Sequence, residues 1–266
     1  MPRAHRHYIP GYVWHITHRC HQKEFLLKFS QDRKRYVQWL YEAKKRYGLT
    51  VLNYIVTSNH IHLMVVDTGK DIISKSMQLV AGRVGQEYNQ KKDRKGAFWE
   101  DRYHATIVQT NRHLMSCMVY IDLNMVRAGA VSHPSEWDIC GYNEILHEPV
   151  RYKIIDREAL KNLLGFTDEV ALIEAYGQAI SPLQMESKGR QPMWTESIAV
   201  GDKDYVVEAK RKLSSLALGR KVVPESDAYI LREPSLPYKA HFDAKDDVLR
   251  LENAYLWDIY SDKSKC

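Results

Sequence analysis

Two β-rich runs, residues 51–57 and 60–66, stand back to back with only Ser58 and Asn59 between them. Runs of β-branched and apolar residues joined by two turn-forming residues pair as an antiparallel hairpin. The hairpin commits the chain to a sheet, and the flanking periodicities say what surrounds it. Residues 12–19 (YVWHITHR) alternate as a strand before it, and residues 105–109 read as a strand after it. Residues 30–47 put Tyr36, Val37, Leu40, Tyr41 and Tyr47 at helical spacing, with Ser30 as the expected cap and Gly48 as the stop. A second helix is expected from Asp71 to about Gln90, with Ile72, Ile73, Met77, Leu79, Val80 and Val84 on its apolar side. A third is expected over residues 112–126, capped by Asn111 and ended by Gly129. The order β-α-β-β-α-β-α is that of an α+β, ferredoxin-like split β-α-β domain, with an antiparallel sheet and helices mainly on one face. That fold hosts many activities, so function has to be read from the side chains.

Charge divides the 266 residues unevenly. Residues 1–150 hold 21 Lys and Arg against 14 Asp and Glu, whereas residues 151–266 hold 18 against 19. Eleven of the twelve histidines lie in the first part. A basic, histidine-rich half suits nucleic acid, although a solvated basic surface has the same composition. The four cysteines, Cys20, Cys117, Cys140 and Cys266, show no CxxC spacing. This argues against a zinc ribbon or a disulfide scaffold and for a reducing, cytoplasmic location. No run approaches the length of a membrane span, and the basic N-terminus lacks the apolar stretch of a secretory signal.

His60, Ile61 and His62 interrupt an otherwise apolar strand. Side chains alternate across a strand, so the two histidines share one face and can converge on one divalent ion. An exposed polar stripe has the same spacing. In VYIDLNMVRAG (119–129), Tyr120 and Asn124 stand one helical turn apart. Tyr120 offers a hydroxyl nucleophile and Asn124 an amide oxygen for a hard cation. A buried tyrosine beside a helix-end asparagine fits the same pattern, and among 17 tyrosines spacing alone does not single out Tyr120.

The runs TSNHIHLMV, FWEDRYHATIV, MVYIDLNMVRAGAV and SEW…GY, in that order, resemble the single-tyrosine HUH transposases over about residues 8–145. Among these the chain is most similar to the REP-associated tyrosine transposases. The resemblance implies that His60 and His62 are metal ligands, that Tyr120 is the nucleophile and that Asn124 supplies a third ligand. It implies cleavage and rejoining of single-stranded, hairpin-containing DNA through a 5′-phosphotyrosine, with Mg²⁺ or Mn²⁺. Two imidazoles and an amide suit Mn²⁺ at least as well as Mg²⁺, which prefers oxygen. Where relatives often read NPVRAG, this chain has Met125 in place of the proline. The helix is therefore expected to run slightly farther.

Arg102 and Arg127 are candidates for phosphate contacts, and Lys91, Lys92, Arg94 and Lys95 for tracking a DNA backbone. Trp99 and Tyr103 are expected to pack under the helix of Tyr120 rather than stack on bases. His15 and His18 fall on opposite faces of the first strand, and Cys20-His21 is too sparse for zinc, so these residues read as structural. The motifs end near residue 148. Residues 1–148 are therefore expected to form the nuclease domain and to fold without residues 149–266. Those read as a mainly helical accessory region for DNA binding or dimerisation. Within it, short helices are expected over residues 156–180, 202–218 and 248–257, with a linker at 181–192 and an extended run at 231–238. Two alternatives stand beside a transposase: a non-catalytic DNA-binding regulator derived from one, and a small-molecule metallohydrolase, which the lack of further acidic or histidine ligands near His60 disfavours.

Overall fold

A computed structural model describes residues 9–180 and 189–233. The expected helix at 248–257, most of the run at 231–238 and residues 181–188 of the expected linker lie outside the described residues. Among the described residues no helix is long and apolar enough to cross a membrane.

The first seven elements are β1 (Val13–Arg19), α1 (Ser30–Tyr47), β2 (Thr50–Val56), β3 (His60–Val66), α2 (Ile72–Lys91), β4 (His104–Val108) and α3 (Arg112–Asp122). Their order is the ferredoxin-like one. β1 lies between β3 and β4 and is antiparallel to both, and β2 pairs with β3 on the far side. The hairpin closes where Thr57 N–H donates to the His60 carbonyl. Gly48, at φ 70°, ends α1 in the left-handed conformation that a residue with Cβ adopts only under strain.

Several local expectations are corrected. The N-cap position of α1 is Phe29, and neither it nor Asn111 before α3 makes a side-chain cap bond. The helix of Tyr120 does not run on to Val126. It breaks at Leu123 (ψ 2°) and restarts as the short α4 (Asn124–Arg127). In an unbroken helix the Tyr120 carbonyl would take the N–H of Asn124; here it accepts from the Arg127 guanidinium. Helices also cover both faces of the sheet. Trp99, from the segment after α2, donates to the Ala81 carbonyl and stacks on His18, so α2 lies over the Trp14, Ile16 and His18 face. α3 lies over the opposite face, where Asn53 donates to the Met118 carbonyl and to Asp122.

The rest of the described chain adds α5 (Gly141–Leu146), α6 (Arg157–Leu164), α7 (Glu169–Ala179), α8 (Met193–Glu196), β5 (Ala199–Gly201), α9 (Lys203–Leu213), β6 (Lys221–Glu225) and β7 (Ala228–Arg232). Gly141 lets α5 close on β2, since a Cβ there would fall 2.0 Å from Asn53 Oδ1. The helix expected over 202–218 stops at Leu213, and Ser214 turns it at φ 49° into a short 3-10 segment. Helices dominate residues 149–233, but three strands were not expected. They extend the sheet to the order β2-β3-β1-β4-β5-β7-β6. β5 joins β4 in parallel, Ile107 facing Ala199 and Val108 facing Val200. The sheet thus continues across the boundary read near residue 148, and the described residues through Arg232 form a single compact unit. Ala199, Val200 and Leu231 are fully buried within it.

Candidate active site

Pairing of β1 with β3 sets Thr17 opposite His62 and Arg19 opposite His60. Directly opposed residues share a face, so His15, Thr17, Arg19, His60 and His62 all point toward α3. Helix α3 sets Tyr120 against them, its ring 5.9 Å from that of His62 and nearly perpendicular to it. The break at Leu123 places Asn124 where its amide nitrogen lies 3.0 Å from His62 Nε2. His60, His62, Tyr120, Asn124, Arg102 and Arg127 line one cleft of about 950 Å³, together with Arg19, His104 and Arg190.

The two histidines are held on their outer edges. His60 Nδ1 lies 2.7 Å from Asn59 Oδ1 and 3.0 Å from Thr57 Oγ1. His62 Nδ1 lies 2.8 Å from His15 Nε2. Burial pushes the His60 imidazolium down to about 4 and His62 well below its ordinary value, the neighbouring cations acting the same way. Both rings are therefore neutral near pH 7 and can offer lone pairs. The Asn124 amide hydrogen-bonds His62. Among the described residues no three His, Cys, Asp or Glu side chains are placed to hold one metal ion. An ion held here would take two imidazoles and the neutral amide oxygen, a donor set chemically suited to Mn²⁺ and acceptable to Mg²⁺.

Tyr120 is buried except for its edge on the cleft, and burial raises its hydroxyl above the ordinary tyrosine value, against the lowering effect of Arg127. Arg127 lies over the ring and hydrogen-bonds the Tyr120 carbonyl. Behind Tyr120, Asp122 accepts from Asn53 and from Tyr176 of α7, tying α3 to β2 and to the later helices.

Not every candidate from the sequence reaches the cleft. Lys91 pairs with Asp32 of α1 at 2.9 Å. Lys92 lies over Phe29, Arg94 pairs with Glu24, and Lys95 is exposed in the same loop. Lys91, Lys92 and Arg94 thus spend their charge on the α1–α2 side of the sheet. Trp99 and Tyr103 pack around His18 rather than under α3. His15 is the residue the sequence reading missed. Its place on β1 alone marks it as structural, yet it touches His62 directly. The alternation of β1 puts His15 on a face with Thr17, but only the strand register sets that face against His62.

The ferredoxin-like sheet thus carries two histidines on one strand, facing Tyr120 and Asn124 across an arginine-lined cleft. Residues 9–124 match the model of the family of IS200-like transposases. The solved structure of a REP-associated tyrosine transposase bound to a REP hairpin is similar at 18% identity and a TM-score of 0.47, over 55% of this chain and 86% of that one. A crystal structure of a putative transposase from Deinococcus radiodurans R1 is similar at 14% identity and a TM-score of 0.32, over 42% of this chain and 88% of that one. No curated protein matches the chain.

Proposed function

We propose that this chain is a transposase, a metal-dependent endonuclease and strand transferase that cuts single-stranded, hairpin-containing DNA and holds the cut end on Tyr120. The observation that carries the reading is the convergence of Tyr120, His60, His62 and Asn124 on one arginine-lined cleft. In the cutting step the Tyr120 oxygen forms a bond to the scissile phosphorus and its proton passes to water in the cleft. The bond from phosphorus to the 3′ oxygen breaks, and that oxygen leaves as a 3′-hydroxyl after taking a proton. The product is a 5′-phosphotyrosine, and a second 3′-hydroxyl reverses the step to join strands without ATP. His60, His62 and Asn124 would hold the divalent ion, which when bound supplies positive charge to the phosphate oxygens. Arg127 and Arg102 add fixed positive charge beside the same phosphate. The raised hydroxyl of Tyr120 makes that charge necessary, because the phenol does not ionise unaided at neutral pH.

The deciding experiment incubates the full chain with labelled hairpin oligonucleotides and Mn²⁺ or Mg²⁺, then separates protein under denaturing conditions. A labelled protein band that needs the ion supports the reading. DNA binding without any covalent band under either ion favours a non-catalytic regulator instead.

A further inference from the structure

Three hydrogen bonds run in series behind the cleft. His15 Nδ1 lies 2.8 Å from the Trp194 carbonyl oxygen of α8. His15 Nε2 lies 2.8 Å from His62 Nδ1, and His62 Nε2 lies 3.0 Å from the Asn124 amide nitrogen. The two rings are within 14° of parallel, His15 is fully buried and His62 nearly so.

One proton arrangement satisfies all three bonds. A carbonyl can only accept, so His15 Nδ1 carries hydrogen. A neutral imidazole has one N–H, so His15 Nε2 accepts and His62 Nδ1 donates to it. The lone pair of His62 is then on Nε2, toward the Asn124 amide. The Trp194 end sets this direction by itself, because a carbonyl oxygen has no hydrogen to offer in return.

We propose that His15 is a positioning residue that fixes His62 as the Nδ1–H tautomer and fixes the plane of its ring, with the Trp194 main chain as its anchor. The inference rests on the reading of His62 as a metal ligand. A ligating imidazole needs its free lone pair on the nitrogen that faces the ion, and a hydrogen bond to the other nitrogen sets this. The anchor comes from residues beyond the family-matched segment, so the later part of the chain supplies one support of the site.

The test uses the full-length, metal-free protein labelled with ¹⁵N-histidine, followed by Mn²⁺ titration calorimetry. Long-range ¹H–¹⁵N spectra are expected to show His62 as a single Nδ1–H tautomer, its signals assigned by their loss in His62→Gln. His15→Phe keeps a ring but no nitrogen. It should give mixed tautomers at His62 and weaken Mn²⁺ binding roughly 10–100-fold. His15→Gln should restore both, since its amide can accept from His62 and donate to the Trp194 carbonyl. A wild-type spectrum with His62 as Nε2–H overturns the proposal, and it needs no variant to fold. Unchanged tautomer and Mn²⁺ affinity in a folded His15→Phe overturns it as well. Failure of the underlying metal reading looks different: wild-type protein would bind no Mn²⁺ while His62 still showed Nδ1–H. That result removes the purpose assigned to His15 and leaves only the hydrogen-bond series.

Discussion

The Arg127 guanidinium lies 4.2 Å from the centre of the Tyr120 ring, and its Nη2 donates to the carbonyl of Tyr120 at 2.6 Å. One side chain thus fills the gap that the helix break opens and holds the ring of the candidate nucleophile from above. A lysine can supply the charge but neither the flat stacking surface nor the fork. Arg127→Ala is expected to cost roughly 1.5–3 kcal/mol of stability, the range for a hydrogen bond from a charged group. Its cleavage rate should fall by about 10²-fold or more. Arg127→Lys should recover most of the DNA affinity and little of the rate. Thermal melts with single-turnover cleavage check both variants, and a lysine variant with wild-type rate removes the positioning role.

Tyr120→Phe deletes one oxygen from a well-packed ring that keeps its contacts with His62 and Arg127. Melting temperature and hairpin binding should stay near wild type while the covalent DNA band disappears. A band that persists in the Phe variant would move the nucleophile elsewhere, with Tyr103 the next tyrosine to test.

Removing either imidazole should weaken Mn²⁺ binding by more than the roughly 10–100-fold typical of losing an outer support. Asn124→Ala should do less harm, because water can replace a neutral amide oxygen. Calorimetry on His60→Ala, His62→Ala and Asn124→Ala gives the order directly. Equal, unchanged affinity in both histidine variants would reduce the pair to a polar stripe on the sheet.

Glu144 offers a separate test of the fold through pH. Its Oε1 accepts the N–H groups of Ile154 and Ile155 and its Oε2 accepts from Tyr54. Burial raises its carboxyl above the ordinary glutamate value, outweighing those hydrogen bonds. The folded state therefore binds this proton more tightly than the unfolded state does. Stability from the protonated form is complete below about pH 4.3 and is lost as pH rises through the raised folded value. Glu144→Gln can keep all three contacts and has no charge to bury. Its melting temperature should gain on wild type as pH goes from 4 to 7, and a constant difference across that range contradicts the assignment.

A chain ending at Glu148 should not fold, contrary to what the motifs alone imply. It loses the β5 partner of β4, the Tyr176 contact to Asp122 and the buried side chains of Ile154, Leu160, Tyr176 and Trp194. At about 2 kcal/mol for each of those four, the loss is comparable to the ~5–15 kcal/mol that holds a domain together. Circular dichroism melts and solubility of the truncated chain decide this. A cooperative transition near that of the full chain would restore the independent nuclease domain.

The sequence was most legible where periodicity is long. Strands 13–19 and 60–66 and the helices ending at Tyr47 and Lys91 follow from alternation or a 3.6-residue repeat, with Gly48 marking one end. Two kinds of feature were not legible. β5 has three residues, too few for alternation to register, so the sheet extension leaves no local trace. The contact of His15 with His62 depends on which residue of β1 faces which residue of β3. Register is a tertiary property, and reading one strand at a time reduced His15 to a structural residue. The break at Leu123 was hidden for another reason. No proline or glycine marks it, and the residue that stabilises it, Arg127, acts through a side chain rather than through a propensity.

The parallel seam between β4 and β5 also has a consequence in time. A ribosome delivers His60, His62, Tyr120 and Asn124 before it has made Trp194, whose carbonyl receives the His15 hydrogen bond. At about 5–20 residues per second, the stretch from Asn124 to Trp194 takes roughly 4–14 s. During that interval the nascent chain holds the four residues of the proposed centre but lacks the anchor for His15. The order of synthesis thus delays completion of the centre until the enclosing sheet can form.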